Sequence, residues 1–119
     1  MAATNRPEAP GLVVLWTSGD PEAARLMALM YAKNSRLNGW WDRVILVAWG
    51  PASRLVCADA GLQAEVAECA AAGVRLRACK ACADAYGVGA ELERLGFEVV
   101  YMGEPLTRYL KDGWKVLSV

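Results

Sequence analysis

The sequence contains no histidine, and its thirteen Lys and Arg residues are balanced by thirteen Asp and Glu. The absence of histidine excludes Cys–His nucleophilic pairs, Ser–His–Asp triads and sites with histidine metal ligands. The absence of net charge leaves no electrostatic reason to expect nucleic acid or an anionic membrane as a partner. The sequence also carries four cysteines, so any chemistry is expected to be cysteine chemistry.

Long apolar runs and a targeting segment are also missing. No apolar stretch approaches the roughly 20 residues of a transmembrane helix. Residues 1–10 carry Arg6, Glu8 and two prolines without an apolar core, unlike a signal peptide. We therefore expect a cytoplasmic protein, in which cysteines serve as thiols or metal ligands rather than structural disulfides. Residues 1–10 are expected to be a flexible leader and residues 11–119 a single domain.

Five short apolar runs alternate with helix-like segments along the chain. The predicted strands are residues 12–16, 44–49, 74–78, 97–101 and 114–119. Short connections between such strands require each crossover to carry a helix back over the sheet. The fold class predicted is α/β, with a five-stranded, mostly parallel sheet and helices on both faces, a doubly wound sandwich.

The first helix has clear start and stop signals. Asp20 is an N-cap residue, Pro21 suits the first turn, and Gly39 can supply a left-handed stop after Leu37. Helical spacing predicts that the face toward the core carries four apolar side chains: Ala23, Leu26, Met30 and Leu37.

The segment Cys79-Lys80-Ala81-Cys82 follows the third predicted strand and opens a short helix that stops at Gly87. A thiol at such a junction faces backbone N–H groups, which favour its thiolate form. A helix N-terminus is worth about 0.3–1 kcal/mol to an anion and up to ~2 when partly buried, so placement alone lowers a thiol pKa by roughly one unit at most. Lys80, Arg54 and Arg77 are candidates to add positive charge.

Ligands of open parallel sheets bind beyond the carboxyl ends of the strands. Here that edge brings Cys79 and Cys82, the candidate catalytic residues, near glycine-rich turns that let backbone approach a ligand. The candidate substrate-binding residues are Ser18, Gly19, Trp49, Gly50, Lys80, Met102 and Gly103.

Each cysteine also has a purely structural interpretation. Cys57 and Cys69 lie on or beside apolar helix stripes and are interpreted as packing residues. Burial without chemistry is also the alternative for Cys79, since strand ends are often covered. Cys82 is either a partner thiol or a packing residue. A Cys-x-x-Cys pair is half a zinc site, but the other two cysteines are too scattered to complete it, so no metal is expected.

Two further motifs bear on ligands and partners. Gly87-Val88-Gly89 follows no strand and is not a dinucleotide fingerprint, so no cofactor is expected. The adjacent Trp40 and Trp41 cannot both face inward on a strand, which makes one of them a candidate for a subunit interface.

From Leu12 onward, the chain resembles the DsrE/DsrF-like sulfur-relay family. The resemblance depends on the order and spacing of several short motifs. They are Thr-Ser-Gly-Asp-Pro (17–21), Trp-Gly-Pro (49–51), Ala-Gly-Val (72–74), Ala-Cys-Lys-Ala-Cys-Ala (78–83), Tyr-Gly-Val (86–88), Leu-Gly-Phe-Glu-Val (95–99) and Tyr-Met-Gly-Glu-Pro-Leu (101–106).

The resemblance implies a five-stranded parallel α/β fold, assembled as a homo-oligomer, with a trimer or hexamer favoured over a dimer. It also implies that Cys79 occupies the position that carries a persulfide in sulfur-transferring members. Cys82 is absent from the best-understood carriers, although small stand-alone relatives often show the pair.

The first hypothesis for function is a sulfurtransferase or sulfur carrier that exchanges sulfur with donor and acceptor proteins. In this hypothesis Cys79 carries the persulfide, and Cys82 can attack that persulfide as a resolving thiol. The alternatives are a thiol-disulfide oxidoreductase using Cys79 and Cys82, a non-catalytic oligomeric binding module, or a small-ligand binder at the same edge.

Overall fold

The computed structural model describes residues 9–119. Of the expected leader, residues 1–8 lie outside this range, and residues 9 and 10 are exposed. No helix within the described range is long and apolar enough to cross a membrane.

Five parallel strands form one sheet with the order β4-β3-β2-β1-β5. The strands are β1 (Leu12–Trp16), β2 (Val44–Ala48), β3 (Arg75–Cys79), β4 (Glu98–Val100) and β5 (Lys115–Ser118). The predicted α/β fold is confirmed, and the sheet is parallel throughout. The third strand lies one residue later than predicted, so Cys79 is its last residue.

Helical segments connect the strands. They are α1 (Pro21–Ala23), a π-helical segment (Ala24–Leu29), α2 (Met30–Leu37), α3 (Pro51–Ala58), α4 (Ala60–Ala71), α5 (Lys80–Tyr86), α6 (Gly89–Arg94) and α7 (Gly103–Lys111). The first three run on without a break. Asp20 caps their start by accepting a hydrogen bond from the Glu22 N–H, with Pro21 in the first turn, as predicted.

The strand order distributes the helices unequally over the two faces of the sheet. The steps from β1 to β4 all run in one direction, and right-handed crossovers then place their helices on one face. The return from β4 to β5 runs the other way and places α7 on the opposite face. The first face carries the large core, with Trp16, Leu46 and Leu62 fully buried.

The second face carries a smaller core. Its buried members are Val13, Ile45, Val47, Cys79 and Met102, with partly buried side chains such as Tyr109 of α7 packed against them. The second face is therefore the one that holds Cys79.

The predicted core face of the first helix is wrong. Leu26, Met30 and Leu37 are exposed, and Ala23 is only half-buried. The residues buried against the sheet are instead Ala24, Ala28, Leu29, Ala32 and Ser35. Small residues repeated at every fourth position let the helix lie close to the sheet. The π-helical segment shifts the side chains further, because it departs from the 3.6-residue repeat that the prediction assumed.

Candidate functional site

The candidate site lies at the carboxyl ends of β2, β3 and β4. Because these strands are parallel neighbours, their ends meet at one edge of the sheet. Cys79, Cys82, Trp49 and Met102 belong to one apolar cluster at this edge. The structure thus brings together four of the residues selected from the sequence.

The two thiols of the Cys79–Cys82 pair are free and lie within hydrogen-bonding reach of each other. Cys79 is both the last residue of β3 and the N-cap residue of α5. It is only 4% exposed, whereas Cys82, in the first turn of α5, is half-buried. An approaching molecule therefore meets Cys82 before it meets Cys79.

The backbone of Gly50 contacts the outer thiol. Gly50 joins β2 to α3 with φ +64° and ψ −137°, and its backbone faces the Cys82 sulfur and favours the charged form of that thiol. Burial raises the pKa of Cys82, and the hydrogen bond with Cys79 raises it further, while the Gly50 backbone opposes both effects. The balance is a raised pKa, so Cys82 retains its proton at neutral pH.

Lys80 lies at the edge of the site but is engaged with its own helix. Its ammonium group forms an ion pair with Asp84 at 3.1 Å and lies 5.6 Å from the centre of the Tyr101 ring. The hydrogen bond with Asp84 raises the pKa of Lys80, which keeps this side chain charged. The charge of Lys80 at the surface of the site is therefore balanced by the Asp84 carboxylate.

The two arginines considered as further sources of charge have separate partners. The Arg54 guanidinium lies 5.2 Å from the centre of the Tyr86 ring, one helical turn beyond Cys82. Arg77 lies two residues before Cys79 on the second face, where it donates hydrogen bonds to Glu98 at 3.0 Å and to the Tyr109 hydroxyl at 2.9 Å. Its charge is thus balanced by a carboxylate.

Of the other predicted substrate-binding residues, Ser18 and Gly19 make contacts within the folded chain. The Ser18 hydroxyl accepts a hydrogen bond from the Asp20 N–H at 3.1 Å, just before the start of α1. A Cβ at Gly19 would lie 3.2 Å from the Cβ of Pro51, so glycine lets the two turns touch. Met102 is buried with Cys79, and Gly103 is exposed at the start of α7.

The other two cysteines lie away from this pair, in the core of the first face. Cys69 is fully buried, and its thiol donates a hydrogen bond to the Leu29 carbonyl at 3.4 Å. Burial raises the pKa of Cys69 to about 11 and also raises that of the partly buried Cys57. Both findings support the packing role predicted for these residues. Within residues 9–119, no group of three or more potential ligands is placed to hold a metal ion.

Sequence reasoning missed two features of the site. It did not predict that Cys79 is nearly enclosed, nor that the Gly50 backbone faces Cys82. The Gly50-Pro51 pair after a buried strand was the available signal for the second feature, because it marks a turn that directs backbone toward the sheet edge. The depth of Cys79 depends on how α7 covers the second face, which local sequence does not reveal.

The comparisons with known proteins agree on one family and one fold. The DsrE/DsrF-like family model matches residues 12–119. The conserved protein of unknown function BT1422 from Bacteroides thetaiotaomicron is 40% identical, with a TM-score of 0.88 over 91% of this chain and 93% of that chain.

Two more distant structures share the fold. MTH1491, a protein of unknown function from Methanobacterium thermoautotrophicum, is 24% identical, with a TM-score of 0.72 over 91% of this chain and 98% of that one. The ychN protein from E. coli is 18% identical, with a TM-score of 0.72 over 93% of this chain and 100% of that one. At these identities the likeness concerns the fold alone. No curated protein matches the chain.

Proposed function

Since the chain belongs to the DsrE/DsrF-like family, whose members are generally sulfur-relay proteins, we propose that it relays sulfur through a persulfide on Cys79. The observation that carries the proposal is the pair of free thiols, Cys79 and Cys82, packed in one cluster at the end of β3. Cys82 keeps its proton because burial and the contact with Cys79 raise its pKa. Cys82 is therefore the protonated member of the pair and is available as the second, resolving thiol.

The loading step needs no external oxidant. The Cys79 thiolate attacks the outer sulfur of a donor persulfide, the bond between the two donor sulfurs breaks, and the donor thiolate leaves and takes up a proton. The product is a persulfide on Cys79. Cys79 is 4% exposed and Cys82 beside it is half-buried, so a donor persulfide reaches Cys79 past Cys82.

Two routes can unload the sulfur. An acceptor thiolate can attack the outer sulfur, which gives an acceptor persulfide and restores the Cys79 thiolate. Alternatively, Cys82 loses its proton as its sulfur attacks the inner sulfur of the persulfide, the bond between the inner and outer sulfurs breaks, and the proton leaves with the outer sulfur as hydrosulfide, which leaves the Cys79–Cys82 disulfide. A thiol reductant must then restore the pair. Donor and acceptor proteins reach the pair from the side of Cys82, past Trp49, Gly50 and Lys80.

The proposal includes a cytoplasmic location. All four cysteines are free, and free thiols persist in reducing compartments.

Loading with a small alkyl persulfide, followed by intact mass spectrometry, tests the assignment. We expect one added sulfur atom in the wild type and in Cys82→Ser, and none in Cys79→Ser. Cys57→Ser is the matched control, because it removes a partly buried cysteine outside the pair, and it should load like the wild type. Equal loading of Cys79→Ser and Cys82→Ser would contradict the choice of Cys79, and loss of the adduct only in Cys82→Ser would assign the persulfide to Cys82.

The contact between the two thiols also favours a second function, thiol-disulfide exchange. This function predicts that Cys79 and Cys82 are both essential and that the pair has a defined two-electron potential. A carrier tolerates the loss of Cys82, so the Cys82→Ser variant separates the two functions. Absence of any sulfur adduct, together with slow alkylation of all four native thiols, would instead indicate the non-catalytic binding module.

A further inference from the structure

A cavity opens on the second face of the sheet, at the edge opposite to the Cys79–Cys82 pair. Its volume is about 310 Å³, and its walls include Arg43, Ile45, Gly73, Arg75 and Trp114. These residues lie at or near the amino ends of β2, β3 and β5. Ligand pockets in proteins span about 300–1,000 Å³, so the cavity has room for one small molecule.

The strand register places Arg75 on the same face as the floor of the cavity. Arg75 lies opposite Ile45 in the parallel pairing of β2 with β3, and Ile45 belongs to the core of the second face. Because neighbours in register point to the same face, the Arg75 side chain stands beside Ile45. Arg75 and Cys79 are the two ends of β3, about 13 Å apart at about 3.3 Å per residue. The cavity is therefore separate from the thiol pair.

Trp114 forms the aromatic wall of the cavity. Its half-buried ring packs on Tyr109 of α7 with centroids 4.9 Å apart, which fixes the orientation of the indole. Gly11 leaves room for this ring, because an added Cβ there would lie 3.0 Å from Cζ3 of Trp114. An indole held in this way presents a flat apolar surface on which an aromatic ring can stack.

Guanidinium groups dominate the charge of the cavity. Of the lining side chains, Arg43 and Arg75 are cationic and Asp42 is anionic. The Arg75 side chain is 58% exposed and meets Glu98 at 3.2 Å, a carboxylate that lies closer to Arg77, at 3.0 Å. Since one carboxylate faces two guanidinium groups, the charge of Arg75 is incompletely neutralised.

Another guanidinium lies behind the cavity wall at Gly73. A Cβ on Gly73 would lie 3.1 Å from Nε of Arg36, so glycine lets Arg36 approach the wall closely. Arg36 donates hydrogen bonds to the carbonyls of Trp41 and Asp42, which are neutral, and its buried Nε has no partner within the described residues. No carboxylate of the described range pairs with Arg36, so its charge adds to the positive potential of the cavity.

We propose that this cavity binds a small organic anion that carries an aromatic ring. The anionic group, a carboxylate or a phosphate, accepts hydrogen bonds from the Arg75 guanidinium, whose planar fork of N–H groups matches both. The ring stacks on Trp114 above the apolar floor at Ile45. The inference goes beyond the sulfur relay, because none of these residues takes part in the proposed relay steps.

NMR titration with four probe compounds tests whether the anion and the ring are both recognised. Phenyl phosphate and benzoate carry both groups, inorganic phosphate lacks the ring, and phenol lacks the charge. The readout is the indole N–H resonance of Trp114, one of five tryptophans, which is assigned with the Trp114→Phe variant. We expect phenyl phosphate or benzoate to shift this resonance with a dissociation constant at least about tenfold below those of inorganic phosphate and phenol. The tighter of the two ring-bearing probes identifies the anionic group.

Paired arginine variants test the role of Arg75. Arg94→Gln is the matched control for Arg75→Gln, because the Arg94 side chain is also exposed, at 71%, and also ion-paired, with Glu91 on α6. We expect Arg75→Gln to raise the dissociation constant of the tighter probe at least about tenfold and Arg94→Gln to leave it unchanged. An unshifted Trp114 resonance with every probe, binding of inorganic phosphate or phenol as tight as that of the ring-bearing anions, or equal effects of the two arginine variants would each overturn the proposal.

Discussion

Replacement of Gly50 tests the turn that holds its backbone toward the Cys82 sulfur. Gly50 has φ +64° and ψ −137°, close to the mirror image of the first central position of a type II turn, where glycine is strongly favoured. Gly87, which ends α5, has φ +69° and ψ +31° in the left-handed helical region. A Cβ at either position would meet no atom within 4 Å. Any loss of stability at the two sites therefore comes from backbone conformation alone.

The two glycines should respond differently to asparagine. A non-glycine residue in a glycine-only conformation costs of order 1–3 kcal/mol, and we expect Gly50→Ala and Gly50→Asn to fall in the upper half of that range. Gly87→Ala should cost about 1–2 kcal/mol, whereas Gly87→Asn should cost less, because asparagine visits the left-handed region routinely. For a chain of this length, about 3–6 °C of melting temperature is lost per kcal/mol.

Urea unfolding of the four variants provides the measurement. The free energy of unfolding should fall for three of them and change little for Gly87→Asn, with an unchanged dependence on urea concentration. If Gly50→Asn were as stable as the wild type, the backbone at this turn could not have the conformation described. The approach of the Gly50 backbone to Cys82 would then lose its structural basis.

Three further predictions concern packing, capping and pH. At Gly11, an added Cβ would clash with the Arg43 carbonyl oxygen, so Gly11→Ala should cost about 1–3 kcal/mol or more in thermal unfolding. Gly103→Ala, in open space, should be neutral or stabilising by about 0.4–1 kcal/mol in the same measurement. Asp59→Ala should cost α4 about 1 kcal/mol, because the N-cap carboxylate loses its hydrogen bond at 3.0 Å, and Asp59→Asn should retain most of it. Burial raises the pKa of Cys69 to about 11. Its alkylation at pH 8 should therefore be about a hundredfold slower in native than in unfolded protein. Equal rates in the native and unfolded protein would contradict the burial of Cys69.

The sequence predicted the layers of the fold because its signals were local. The buried strands from Leu12 and Val44 have continuous apolar runs, and the Asp20-Pro21 cap marks a helix start by its own chemistry. The face of the first helix could not be predicted in the same way. Helical periodicity assigns large and small apolar residues to the core alike, so it predicted that Leu26 and Met30 are buried. In the structure the buried side is decided by the close packing of Ala24, Ala28 and Ala32 on the sheet.

For the candidate site too, the local features were predicted from the sequence and the long-range contacts were not. Cys79 and Cys82 were identified from their spacing and from the strand that precedes them, and the structure brings their thiols together. The enclosure of Cys79 depends on Met102, which is distant in sequence and close only after the chain has returned to the second face. Contacts between residues that are distant in sequence depend on the order of strands in the sheet, which no local sequence pattern shows.

The strand order also has a consequence for synthesis on the ribosome. β1 pairs on one side with β2 and on the other with β5, and the Thr17 hydroxyl bonds the Val119 carbonyl across 102 positions of sequence. While the chain is being made, β1 to β4 can pair in the order in which they emerge, but the outer edge of β1 stays open until residues 115–118 leave the exit tunnel. An unpaired strand edge can pair with other nascent chains. The pairing of β5 with β1 covers the backbone N–H and C=O groups at this edge of β1.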